Sequence, residues 1–171
     1  MPGPFRSHAT RLHTNNPHPI SHPCNPEACV AEALADYVVD DQAGFLLRRA
    51  QQRHTAIFQD RMSALDLTPT QFTALIKIVE TGPVTQNLLG RHAAMDPATI
   101  QGVVRRLIAR GLVQSRKDPM DRRTAVLAPT PAGLDLAARA VPMARAITEA
   151  TLAPLSEQER ATLLTLLRKM G

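Results

Sequence analysis

Residues 96–130, DPATIQGVVRRLIARGLVQSRKDPMDRRTAVLAPT, hold a succession of local signals that few folds can accommodate. Asp96 is suited to accept the free amides of a first helical turn, Pro97 to the first helical position, and Gly111 to the left-handed residue past a helix end. Between these signals Ile100, Val103, Val104, Leu107 and Ile108 recur at three-and-four spacing, which predicts one buried stripe. Leu112 and Val113, then Val126 and Leu127, suit two short strands joined by the polar turn Lys117-Asp118-Pro119-Met120-Asp121-Arg122-Arg123. A capped helix running straight into an arginine-tipped hairpin is the outline of a winged helix-turn-helix, a module that binds duplex DNA.

The helix face opposite the stripe carries Ala98, Gln101, Gly102, Arg105 and Ala109. Small residues with one amide and one guanidinium suit a helix pressed into a major groove, where Gln pairs with adenine and Arg with guanine. With Thr99 and Arg106 these form the candidate DNA-contacting set on the helix. On the hairpin the candidates are Lys117, Asp121, Arg122 and Arg123, with an acid aiming paired arginines toward a narrow minor groove. Charge agrees with this placement. Residues 85–123 hold eight Lys/Arg against three acids, a surplus of five that equals the net charge of +5 for the whole chain. The surplus is therefore confined to one module, as a phosphate-facing surface requires.

The remaining signals are mostly helical. A long helix is predicted from about Asp40 to Leu65, with Ala43, Leu46, Leu47, Ala50, Ile57, Phe58, Met62 and Leu65 on one side. Thr68, Pro69 and Gln71 give a cap, a first-turn proline and a capping box for a helix burying Phe72, Leu75, Ile76 and Val79. Gly82 ends it, and Thr85 caps a short helix reaching His92. Thr130-Pro131 opens a long helix to about Ala153, with a kink expected at Pro142. Ser156 and Glu159 box a last helix striped by Leu163, Leu166, Leu167 and Met170. Residues 1–35 differ: they hold six of the prolines, four of the six histidines and both cysteines, and are expected to be a flexible arm.

The run GPVTQNLLGRHAAMDPATIQGVVRRLIARGLV, followed by DPMDRRTAVLAPTPAG, resembles the MarR family of bacterial transcriptional regulators. That family carries Asp-x-Arg before the second wing strand and Leu-Thr-x-x-Gly entering the next helix. Asp121-Arg122-Arg123 matches the first pattern, which makes Arg123 the counterpart of the family's minor-groove arginine. Pro129 stands where Leu is usual before Thr130 and Gly133, so the second strand is expected to end early. The resemblance implies a mainly α fold with a small β-wing. It also implies that residues 36–171 form one domain, with a winged head at 67–130 on a helical dimerisation base from 36–66 and 131–171. It further implies a homodimer on a near-palindromic double-stranded DNA operator, acting most often as a repressor.

Members commonly leave DNA when a small aromatic acid enters the cleft between base and head. Arg49, Arg53 and His54, with Phe58 and Phe72 as apolar walls, are the candidate residues for such an aromatic carboxylate, the expectation being a buried guanidinium and imidazole. Two other readings stand beside this one. A redox- or metal-responsive regulator would use Cys24, Cys29 and the arm histidines His8, His13, His18 and His22, although their spacing matches no structural zinc pair. An architectural, sequence-indifferent DNA binder would spread its charge over a broader surface. No GxGxxG, P-loop or HExxH pattern is present, so neither catalysis nor a cofactor is expected. The chain offers no membrane-spanning stretch and no apolar leader, and the expected location is the cytoplasm.

Overall fold

The computed structural model describes residues 25–118 and 123–171. The chain divides into two compact units, Met1–Gln42 and Ala43–Gly171. In the first, α1 spans Pro26–Leu34 and a 3-10 turn spans Val39–Asp41. The sequence reading expected no element over Pro26–Leu34 and began a long helix at about Asp40. The helix starts because the Asn25 side chain accepts the Glu27 amide at 3.2 Å while Pro26 sits at the first position, a local cap that the biased composition obscures. Cys29, on α1, is disulfide-bonded. Cys24 and the four arm histidines lie outside the described residues.

The second unit opens with α2 (Ala43–Met62), extended by a 3-10 turn at Ser63–Leu65, and continues through α3 (Pro69–Thr81) and α4 (Gln86–His92) to α5 (Pro97–Ala109). An antiparallel pair, β1 (Val113–Lys117) and β2 (Ala125–Pro129), precedes α6 (Pro131–Leu152) and α7 (Glu157–Met170). The capping boxes at Thr68–Gln71 and Ser156–Glu159 form with both reciprocal bonds, and Thr85, Asp96 and Thr130 each cap their helix. Gly111 takes φ 68°, the left-handed turn that sends the chain from α5 into the wing. The core joins Phe58, Met62 and Leu65 to Leu75 and Ile78 of α3, the buried face of α5, and Leu136, Ala140 and Ile147 of α6.

Several details depart from the sequence reading. Ile108 belongs to the predicted stripe yet is 40% exposed, because it lies roughly a quarter turn from the line through Ile100, Val103, Val104 and Leu107. Only the C-terminal half of the α2 stripe is buried; Leu46 and Leu47 are exposed, and α7 buries none of its residues. Pro129 does not shorten β2. It closes the strand opposite Val113, and the next amide, Thr130, donates to the Leu112 carbonyl at 3.1 Å. Val84 adds a short third rung, exchanging amide-to-carbonyl bonds of 3.1 and 2.8 Å with Leu127.

Candidate functional site

The recognition-type face of α5 is assembled from its N-terminus. Asp96 Oδ1 accepts the amides of Ala98 (3.0 Å) and Thr99 (2.9 Å), and Oδ2 accepts the Thr99 hydroxyl at 2.5 Å. The Thr99 hydroxyl, aided by these amides, holds the Asp96 carboxyl below its usual value. Ala98, Thr99, Gln101, Arg105 and Arg106 are exposed along this helix, with Gly102 half-buried among them. The preceding helix seats α5 closely: a Cβ on Gly90 would stand 3.3 Å from both Ile100 Cγ2 and the Met95 carbonyl. Lys117 at the end of β1 and Arg123 before β2 are both exposed. Asp121 and Arg122 lie outside the described residues. The geometry therefore gathers a small, polar, cationic helix face and one basic strand end on the same head, as groove binding needs.

One arginine of the basic surplus is used otherwise. Arg110, just past α5, donates from Nη1 to the Asp66 carbonyl and from Nη2 to the Leu65 carbonyl at 3.2 Å, with the Asp66 carboxylate 3.7 Å away. It fastens the end of α5 to the α2–α3 junction.

Below the head, a cavity of about 150 Å³ opens among His54 and Phe58 of α2, Phe72 and Thr73 of α3, and Ile147 and Thr148 of α6. The Phe58 and Phe72 rings meet edge to face with centroids 6.0 Å apart, and the His54 ring lies 6.3 Å from Phe58. His54 Nδ1 is 3.1 Å from the Thr151 hydroxyl. A second cavity of about 350 Å³, which His54 also lines, is walled by Leu47, Leu152, Leu163 and Leu167.

His54, Phe58 and Phe72 thus meet, whereas the arginines do not join them. Arg53 is exposed and donates to the carbonyls of Ala150 (3.1 Å) and Thr151 (3.4 Å), capping α6 where the helix dipole favours a cation. Arg49 is exposed, with its guanidinium 5.9 Å from the Phe45 ring centroid. Neither guanidinium is buried, and neither lines either of these two cavities. The threonines of α3 and α6 were missed by the sequence reading; Thr148 and Thr151 share the helical face of Ala144 and Ile147, a spacing signal open to inspection. Among the described residues no group of three or more His, Cys, Asp or Glu could hold a metal ion, and no helix is long and apolar enough to cross a membrane.

A three-helix head with a two-stranded wing and a solvent-facing cationic third helix defines a winged helix DNA-binding protein. The MarR family model matches residues 67–125. The repressor NicR of Pseudomonas putida is 46% identical over 134 residues, 78% of this chain and 85% of that one. A probable transcriptional regulator from Pseudomonas aeruginosa superposes with a TM-score of 0.75 at 48% identity, covering 78% of this chain and 100% of its own. BpsR of Bordetella bronchiseptica, whose DNA binding is regulated by 6-hydroxynicotinic acid, gives a TM-score of 0.75 at 41% identity over 78% of this chain and 96% of its own. The chain belongs to the MarR family of transcriptional regulators, which are DNA-binding proteins and not enzymes.

Proposed function

We propose that the protein is a homodimeric repressor that holds a near-palindromic operator through α5 and the wing. It leaves that operator when a single-ring aromatic acid of the hydroxynicotinic type fills the cavity at His54, Phe58 and Phe72. The observation that carries this reading is the cavity itself. About 150 Å³ is the room that one six-membered ring needs, and two phenylalanine rings flank it. The likeness to BpsR supports the ligand class, and the likeness to NicR the repressor role.

Release follows from where the ligand sits. The cavity is shared by α2, α3 and α6, while α3 packs on α5 and β2. A ring inserted there favours one setting of the head over another, and so changes the distance between the two recognition helices of a dimer. Near-complete switching requires the ligand to prefer the released conformer by about 10⁴-fold. Ala98, Thr99, Gln101, Gly102, Arg105 and Arg106 would face the major groove, and Lys117, Asp121, Arg122 and Arg123 the backbone and minor groove.

Fluorescence anisotropy on DNA from the protein's own locus, titrated with 6-hydroxynicotinic acid, tests the reading. The acid should raise the apparent operator Kd by at least tenfold. His54→Ala and Phe72→Ala should bind the operator and stay on it at the same acid concentration. A response unchanged in both variants places the effector elsewhere.

A further inference from the structure

The hydroxyls of Thr73 and Thr148 on the cavity wall, and of Thr151 behind His54, share one property: each donates its hydrogen to a carbonyl of its own helix. The Thr73 hydroxyl donates to the Pro69 carbonyl (2.9 Å) and the Thr148 hydroxyl to the Ala144 carbonyl (3.1 Å). The Thr151 hydroxyl donates to the Ile147 carbonyl at 2.8 Å, and the same oxygen lies 3.1 Å from His54 Nδ1. A hydroxyl has a single hydrogen; with that of Thr151 on the Ile147 carbonyl, the shorter of its two contacts, the contact with His54 is Nδ1–H donating into a Thr151 lone pair. Neutral imidazole carries one proton; with it on Nδ1, Nε2 is an acceptor. Nε2 has no hydrogen-bond partner among the described residues, yet no buried side-chain nitrogen or oxygen there is left without one, so Nε2 opens onto free space. His54 lines both cavities.

We propose that the cavity is an acceptor-only site, made so by Thr151 locking the His54 tautomer. It selects aromatic acids that carry a ring N–H or O–H donor, bound with that edge inward and the carboxylate at the mouth. This rests on the effector reading above and adds to it the donor requirement, the orientation and the role of Thr151, a positioning residue acting through His54. With Arg49 and Arg53 engaged outside the cavity, its wall offers no lysine or arginine to draw a carboxylate inward.

Two measurements test it together. Long-range ¹⁵N–¹H correlation at about pH 8, where imidazole is neutral, reads the His54 tautomer directly. Calorimetry with 6-hydroxynicotinic acid, whose pyridone form has a ring N–H, and with nicotinic acid, whose ring nitrogen only accepts, reads the selectivity. The wild type should show the Nδ1–H pattern and prefer the hydroxylated acid by about tenfold or more, the scale of one unmatched buried polar contact. Thr151→Val, which cannot accept from Nδ1, should shift His54 to Nε2–H and narrow that preference by a similar factor. Thr151→Ser should restore both. An Nε2–H pattern in the wild type overturns the proposal, as does a preference unaltered in a Thr151→Val protein whose tautomer has moved. If the two acids bind equally well and both release DNA, the effector reading stands and this inference alone falls. If neither acid binds, the effector reading fails and the donor requirement falls with it.

Discussion

Two residues at the joint between wing and helical base show how little slack the head has. The Thr130 hydroxyl donates to the Gly111 carbonyl at 2.6 Å and accepts the Gly133 amide at 3.1 Å. A Cβ on Gly133 would stand 2.0 Å from the Leu112 oxygen, the carbonyl that also accepts the Thr130 amide. Neither partner can move without breaking that knot. Gly133→Ala should therefore cost ~3 kcal/mol or more, as overpacking against backbone does, and a urea midpoint like that of the wild type would refute the contact. Asp96 makes a different demand. Its carboxyl is held below its usual value chiefly by the Thr99 hydroxyl, so its contribution is present above the unfolded carboxyl pKa and fades as pH falls through the folded one. Asn can cap the same amides without ionising. The gap in melting temperature between wild type and Asp96→Asn should thus shrink on acidification below about pH 4. A gap independent of pH would mean that ionisation of Asp96 contributes nothing.

At the scale of elements, α5 is held at both ends by different chemistry, and its arginines divide accordingly. Arg110 bonds the carbonyls of Leu65 and Asp66, so Arg110→Ala should lower stability by about 1.5–3 kcal/mol, as loss of charged hydrogen bonds does, and leave the salt slope of operator binding unaltered. Arg123→Ala should reduce that slope by about one, and Arg105→Ala should cost about 1–3 kcal/mol at particular base pairs. A slope change for Arg110→Ala matching that of Arg123→Ala would return Arg110 to the phosphate-facing group. The same division explains what was legible beforehand. Caps at Thr68, Thr85, Asp96 and Ser156 act within four residues of themselves, so the sequence alone located the helices that they begin. The reach of Arg53 to Ala150 and of Arg110 to Leu65 depends on which helix ends lie beside them, which no local pattern encodes. His54, Phe58 and Phe72 were legible as residue types suited to a ring. Thr73 and Thr148 were not, because an isolated helical threonine reads as surface until the opposing helix is placed.

For the molecule as a whole, the apolar side chains that α2 and α7 leave uncovered are the strongest argument for a second copy. Leu46 and Leu47 on α2, and Leu164, Leu166, Leu167 and Met170 on α7, are all exposed, although their spacing is that of a buried stripe. Self-association through these helices would cover the stripe and close the larger cavity beside His54, so that dimerisation and the effector site share a wall. Placing Glu at both Leu164 and Leu167 puts two charges into that seam while touching no residue of the head. The double variant should run as a folded monomer in light scattering. Its operator affinity should fall by about 10²–10⁴-fold, the gain that a second tethered head supplies through effective concentration. Binding to random DNA should fall much less, because phosphate contacts are made head by head. A double variant that remains dimeric with an intact operator Kd would move the interface to another surface, and would detach the wall at Leu163 and Leu167 from any part in assembly.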